Sequence, residues 1–491
     1  MRIPAIRSLM TDGCFFSNAF CTVPLCAPSR GSYMTGRYST ILGNGEHAPE
    51  GLDTELKSSD IIFPAYLKAA GYVTRQVGKC HVGKQKFLDA FGENNKPWDR
   101  WSPPVYDDDE YLSHLHRMGV KQQKYAREIV FLQQDRKTPG NSVGGWVEQQ
   151  DGKPFPTEAQ YSWYLGLQAM ETLDDLMARG TLEDHPLYMQ VDIFDPHQPF
   201  AIPAGMEERE RELRQGMTLP ESYLAAKQRD FKRADGEPEI VQLYRRYWGI
   251  YDEQKLIDYR VAYALQMELV DKVIRRLIEK IKQAGLYDDA LIAFISDHGE
   301  MNGRRALVDK GVYLHPDVLR VPLVIKPQKK IAPAAKPEVD APVSLLDVSQ
   351  TFLEAAGIHA EARFDGVSLI PALLGKGEPA DDRALLFFGG WHVGVNFGCG
   401  IQYKYADGRH FLYGYNCGSP VDELFDLKSE DAVNLIDRPE YATVRKEMIQ
   451  RLAIALQADP RWSGYWTQFR LARFNDLPVV QGDMQKLAIT E

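Results

Sequence analysis

Leu291-Ile-Ala-Phe-Ile295, followed without a break by Ser296-Asp-His-Gly-Glu300, decides how this chain is built. A short, wholly apolar run reads as a buried strand, and the polar residues begin where the strand ends. Just upstream, Leu265, Leu269, Val273 and Leu277 recur at helical spacing, and Gly285 marks a helix stop. Helix, apolar strand, then polar residues at the strand's carboxyl end is the order of an α/β sheet, whose ligands sit beyond those carboxyl ends. A second such junction is Leu187-Tyr-Met-Gln-Val-Asp-Ile-Phe194 running into Asp195-Pro-His-Gln-Pro-Phe200, and Val321-Pro-Leu-Val-Ile325 adds a third strand. The expected fold class is therefore α/β, a large mixed and mostly parallel sheet sandwiched by helices.

Outward from these strands the texture changes twice. From about Trp98 to Tyr259 the chain is polar, aromatic and irregularly helical, and reads as excursions around the sheet. Lys326 to Pro342, rich in Pro, Ala and Lys, reads as a surface loop. After Gly375-Lys-Gly-Glu-Pro-Ala380, short runs such as Ala384-Leu-Leu-Phe-Phe388 and His410-Phe-Leu-Tyr413 alternate with glycine-rich turns, and an amphipathic helix follows from Val444 to Leu456. The expected division is a catalytic domain over 1–376 and a smaller α+β domain over 377–491. The tail from about Trp462 to Glu491 reads either as an arm across a neighbouring copy in a homo-oligomer or as a strap along its own domain.

The 491 residues are 44% hydrophobic and 26% charged, a globular balance that excludes disordered, collagen-like and coiled-coil chains. With 58 basic and 68 acidic residues the formal charge is −10, which argues against nucleic acid as a partner and leaves room for a small anion held by a few focused cations. Six cysteines in a chain this long are not a disulfide scaffold. No apolar run is long enough to span a bilayer, and Met1-Arg-Ile-Pro-Ala-Ile6 lacks the apolar stretch of a secretory signal. The expectation is a cytoplasmic protein with no membrane partner.

Five short segments carry chemistry: Cys26-Ala-Pro-Ser-Arg30-Gly-Ser-Tyr-Met-Thr35-Gly36, Gly78-Lys-Cys-His-Val-Gly83, Asp195-Pro-His197-Gln-Pro-Phe200, Ser296-Asp297-His298-Gly-Glu300 and Asp309-Lys310. Each has a bland reading: a buried inert thiol, surface Lys and His, a histidine held between prolines for turn rigidity. Together they resemble the formylglycine-dependent sulfatases of the alkaline-phosphatase-like superfamily. Cys26 to Gly36 matches that family's C-x-P-S-R-x-x-x-T-G signature at every fixed position, and Arg320 to Ile325 and Asp422 to Leu427 are like two of its later segments. Cys80 stands where tryptophan is usual.

The resemblance implies that a formylglycine-generating maturase oxidises Cys26 to an aldehyde whose hydrate is the nucleophile. It also implies catalytic roles for Arg30, Lys79, His81, His197 and Lys310, with His197 as general acid on the leaving oxygen. The implied metal ligands are Asp297, His298 and residue 26, for Ca2+ with Mg2+ or Mn2+ as alternatives. Substrate contacts would come from Lys79, His197 and Lys310; His315 is near enough to Lys310 in sequence to join them or is an exposed loop histidine, and Trp391-His392 would line a sugar pocket or be packing residues. Relatives begin with a strand ending in paired aspartates that bind the metal; here Ile3 to Leu9 aligns with the helix that follows it, so that strand is expected to be missing. The expected substrate is an anionic sulfate ester, a carbohydrate sulfate first and an aryl or small alkyl sulfate second. Trp98, Trp101, Tyr106, Trp146, Tyr161 and Trp163 are candidates to line a sugar pocket, or are packing residues. The alternatives are a phosphonate monoester or phosphodiester hydrolase of the same superfamily and a non-catalytic binder of sulfated ligands.

Overall fold

Two strands carry the site on one side. Val73–Gly78 and Leu187–Asp192 pair in parallel, with Gly78 opposite Asp192 at their carboxyl ends. On the other side Ile292–Ile295 runs antiparallel to Leu323–Lys326, which pairs antiparallel with Cys14–Phe16, and that strand is parallel to Glu338–Val339. The sheet is thus mixed, with the strand that precedes Ser296 held by an antiparallel neighbour. The computed structural model describes residues 1–38, 56, 59–92, 97–311, 313–331, 336–360, 363–380, 382–390, 392–393, 396–417, 419–473 and 477. Most of the tail lies outside them. No helix among the described residues is long and apolar enough to cross a membrane.

Among these residues Leu187–Asp192 pairs on one edge only, and so does Ile292–Ile295. Five of the six residues in the first strand and all four in the second are only half-buried, whereas Leu323–Lys326 is buried throughout. Apolar strands in an α/β sheet are normally covered on both faces and both edges. The two strands end beside one another, joined through a side chain described below rather than through backbone pairing.

Glu253–Gln283 is the longest helix, and its Val273 lies against Gly166 of the helix Tyr161–Ala178, where a Cβ would collide with it. Gly285 follows in the left-handed region expected of a helix stop. From the same long helix, Asp271 accepts hydrogen bonds from the Ala5 and Ile6 amides at 3.1 and 2.9 Å, capping the helix Pro4–Asp12 that the sequence places before the Cys26 segment. The stretch read as irregularly helical contains a long hairpin instead, Gln123–Leu132 with Pro139–Gln149. Its glycines (Gly140, Gly144, Gly145) and charged residues hide the alternation that marks a strand. In the C-terminal part, Leu385–Phe388, Cys399–Lys404, His410–Tyr415 and Glu423–Asp426 form an antiparallel sheet beside the helix Ala442–Gln457. Phe388, Ile401 and Tyr413 share one core with Val23, Tyr244 and Tyr313 of the catalytic part.

Gly78 has φ 99°, and a Cβ there would overlap the Asp192 carbonyl oxygen, which accepts from the Lys79 amide at 3.2 Å. Gly78→Ala is expected to cost about 1–3 kcal/mol, seen as a lower urea midpoint, because the strain and the overlap act together. An unchanged midpoint would show that the two strand ends move apart freely.

Candidate active site

Cys26 opens the helix Cys26–Thr35, all of whose residues are buried. At that position the free amides and the helix dipole favour negative charge on its side chain. One turn on, Arg30 donates through Nε to Asp297 at 2.9 Å and through Nη1 to Asp192 at 3.0 Å and to the Lys79 carbonyl at 3.1 Å. Asp192 also accepts from Gln76 at 3.0 Å and from Gln190 at 2.9 Å. Burial pushes the Asp192 carboxyl up despite Arg30. For Asp297 burial acts the same way, but His298 and Arg30 outweigh it and hold the carboxyl below its usual range.

The Cys26 sulfur lies 3.2 Å from His298 Nε2. Burial alone would raise the thiol, but Lys79, Lys310 and His298 together bring it well below its ordinary value. The same pairing acts on His298. Its imidazole is driven up to about 9, burial notwithstanding, by Asp297 and Cys26. His197 goes the other way, down to about 4, through burial and the nearby Lys310. Lys310 Nζ is 2.9 Å from His197 Nε2 and 2.9 Å from Asp309, whose carboxyl is held at about 2 because Lys310 overcomes its burial. The neutral His197 ring donates through Nδ1 to the Gln198 carbonyl and accepts through Nε2 from Lys310. The surroundings therefore favour the thiolate at Cys26, the imidazolium at His298 and the neutral ring at His197.

Cys26, Arg30, Lys79, His197, Asp297, His298 and Lys310 converge as one group. His81 sits beside them in the chain, buried, with φ 56° and an unpartnered Nδ1. His392 is at the rim, its Nδ1 3.2 Å from the Tyr244 hydroxyl and its charge felt by Asp309. His315 is not part of the group. It is buried, its Nδ1 accepts from the Asp317 amide to cap the short helix Pro316–Leu319, and its ring packs edge-on against Phe425. Trp391 lies outside the described residues. Of the aromatic candidates, Trp101, Tyr106 and Tyr161 line a cavity next to His197, while Trp146 and Trp163 stack on Arg127 and Arg276.

Asp192, Gln76 and Gln190 were not singled out by sequence reasoning, and Asp309 was quoted only as the neighbour of Lys310, without a role of its own. Asp192 carried a usable signal, since it ends its strand much as Asp297 follows Ile295, but the apolar run continues to Phe194 and masks the strand end.

Cys26, Asp297 and His298 each offer one donor atom, all within 4.8 Å of one another. One sulfur, one imidazole and one carboxylate, with an Asp297 oxygen already bound to Arg30, do not fit Ca2+, which takes roughly 6–8 oxygens. An aldehyde hydrate at residue 26 would replace the sulfur by oxygen and leave the shell still partial. Asp12 adds nothing, being near the surface and bound to the Tyr287 hydroxyl at 2.6 Å.

A buried cysteine at a helix start, ringed by cations beyond the ends of α/β strands, is an arrangement suited to a tetrahedral oxyanion. The family model for sulfatases matches residues 1–358, and that for the N-sulphoglucosamine sulphohydrolase C-terminal region matches 303–458. The chain belongs to the sulfatase family and is a sulfatase. It is 27% identical over 467 residues to a choline-sulfatase of Rhizobium meliloti, covering 89% of this chain and 78% of that one. An N-acetylglucosamine-6-O-sulfatase of Bacteroides thetaiotaomicron is 22% identical over 492 residues, with 92% and 81% covered. In fold it resembles a phosphonate monoester hydrolase from Silicibacter pomeroyi, with TM-score 0.67, 20% identity, and 93% and 90% of the chains covered.

In protein made without a maturase, the pH profile of Cys26 alkylation by iodoacetamide is expected to reach its midpoint below that of an ordinary thiol, about 8.5. His298→Ala removes one of the cations and is expected to move that midpoint up. A midpoint at or above the ordinary thiol value in the unsubstituted protein would contradict the charge assignment.

Proposed function

We propose that the protein hydrolyses a carbohydrate sulfate ester, using a formylglycine made from Cys26. The observation that carries this reading is the convergence of Lys79, Lys310 and His298 on the Cys26 side chain. A hydrated aldehyde supplies one hydroxyl to attack sulfur and a second to expel sulfate as the carbonyl re-forms, so water need not reach the sulfur. Lys79 and Lys310 neutralise the sulfate oxygens and the charge that grows on them. Arg30 fixes residue 26 by locking its helix to both strand ends. A name among the relatives, N-acetylglucosamine-6-O-sulfatase, supports a sugar as the alcohol.

His197 is neutral in the free site; once Lys310 turns from its Nε2 to a sulfate oxygen, that nitrogen accepts the proton of the attacking hydroxyl and delivers it to the leaving oxygen as the S–O bond breaks. As the carbonyl re-forms, the second hydroxyl's proton leaves with the sulfate as hydrogensulfate or passes to solvent, and one water then adds to the aldehyde to restore the hydrate, so the products are the free alcohol and sulfate with one water consumed. Family members work with a divalent metal; Asp297 and His298 are the donors this chain contributes toward one, and no step above depends on it.

Protein co-produced with a maturase is expected to show an aldehyde or its hydrate at residue 26 by peptide mass spectrometry, and to turn over an aryl sulfate. Cys26→Ala should lose at least about a thousandfold in kcat while keeping its fold. Faster turnover of an aryl phosphonate monoester than of the aryl sulfate would move the assignment to that chemistry. His197→Ala should slow alkyl and sugar sulfates at least about tenfold more than activated aryl sulfates, because only poor leaving groups need the proton. Equal losses would remove His197 from that role.

A further inference from the structure

Lys79, Lys310 and His298 gather around Cys26. Beside His197 and Phe194 lies a space lined differently. A cavity of about 240 Å3 opens there, bounded by Trp101, Tyr106, Tyr125 and Tyr161 and by the carboxylates of Asp107 and Asp195. No lysine, arginine or histidine lines it among the described residues. It is small beside the roughly 300–1,000 Å3 of drug-sized pockets, so it accepts one ring or a short chain.

The cavity is continuous with the catalytic group through shared walls. The Trp101 ring lies 5.8 Å from the His197 ring, and Phe194, which forms part of the lining, lies 5.9 Å beneath the Lys79 ammonium. Trp101 and Tyr106 are about half exposed, leaving their faces open to an incoming group. Asp195 accepts from the Ser162 hydroxyl at 2.5 Å, from Gln160 at 3.3 Å and, with its amide turned, from Gln266 at 2.8 and 3.0 Å, and burial pushes its carboxyl up to about 7, so it carries part of a charge at neutral pH. Asp107 is an exposed residue of the lining. Aromatic faces beside an exposed carboxylate, with no cation in the lining, are surroundings that attract an ammonium group.

We propose that this cavity binds the alcohol half of the substrate and selects an alcohol that carries an ammonium group, within reach of a single sugar ring from the sulfate. The proposal rests on the sulfatase reading and narrows it: the substrate is dipolar, its sulfate among Lys79, Lys310 and His298, its ammonium among Asp107, Asp195 and the four rings. A second anionic group on the same ring would meet the two carboxylates and be rejected.

The test uses Cys26→Ser protein, which binds without turnover, and calorimetric titration with glucosamine 6-sulfate and glucose 6-sulfate. These share one leaving oxygen and one sulfate and differ by an ammonium at carbon 2. Glucosamine 6-sulfate is expected to bind at least about fivefold more tightly. Asp107→Asn, a surface change, should reduce that preference at least about twofold. Asp195→Asn should reduce it further, and Trp101→Ala should weaken both ligands. Equal affinities, tighter binding of the neutral sugar, or no binding of either overturns the proposal, as does a preference that persists unchanged in both carboxylate variants. The sulfatase reading is tested separately by aryl sulfate turnover of the matured protein, which does not require the cavity to hold a charged group.

Discussion

Arg30 is the side chain on which the site's geometry rests. It is buried, it belongs to the helix that begins with Cys26, and its guanidinium spans two carboxylates, one at the end of Leu187–Asp192 and one just beyond Ile292–Ile295. Those strands have no backbone hydrogen bonds to one another among the described residues. A rigid planar fork with fixed donor directions does what a ladder does elsewhere: it sets the spacing and orientation of both ends at once. Lysine, a single point charge on a flexible stem, could satisfy either carboxylate but could not fix the angle between them. A buried ion pair of this kind is weak evidence for stability, because desolvation cancels much of the attraction. Its value here is geometric.

The electrostatics follow from that placement. By occupying Asp192 and Asp297, Arg30 leaves Lys79, Lys310 and His298 to act on residue 26. Buried carboxylates and buried cations are each costly alone, and the arrangement pairs them in order: Arg30 between two aspartates, Lys310 between Asp309 and His197, His298 between Asp297 and the nucleophile. Lys310 is also why His197 is neutral, since a second proton on that ring would sit 2.9 Å from an ammonium. The resemblance alone makes His197 an acid; burial and Lys310 make its ring neutral in the free site.

Much of the catalytic group was legible before any coordinates. Cys26, Asp297 and His298 announce themselves because a polar cluster follows an apolar strand, or a proline-serine-arginine run follows a cysteine, and α/β strands leave such clusters at one edge. His315 was misread because proximity in sequence to Lys310 says nothing about direction, and a histidine before Pro316 serves equally as a helix cap. The hairpin Gln123–Leu132 with Pro139–Gln149 was invisible since bulges and glycines break its alternation. Asp192, and a role for Asp309, were missed for a different reason. Their importance lies in what faces them from other elements, which no local pattern encodes. The calcium expectation came from resemblance, and the donors that Cys26, Asp297 and His298 provide are too few and too soft for it.

The crowding of cations around residue 26 has a thermodynamic consequence. Lys79, Lys310 and the His298 imidazolium repel one another, and Asp309 and Asp297 offset only part of that repulsion, which the unfolded chain does not carry. A tetrahedral oxyanion that enters the site removes it, so binding and folding are linked: ligand at 100 times its dissociation constant raises the unfolding free energy by about 2.7 kcal/mol. Inorganic sulfate, the reaction's own product, is such an ion. The arrangement that speeds the release of an alcohol also retains the anion left behind, and a cell rich in free sulfate would hold this enzyme in a more stable and less active form.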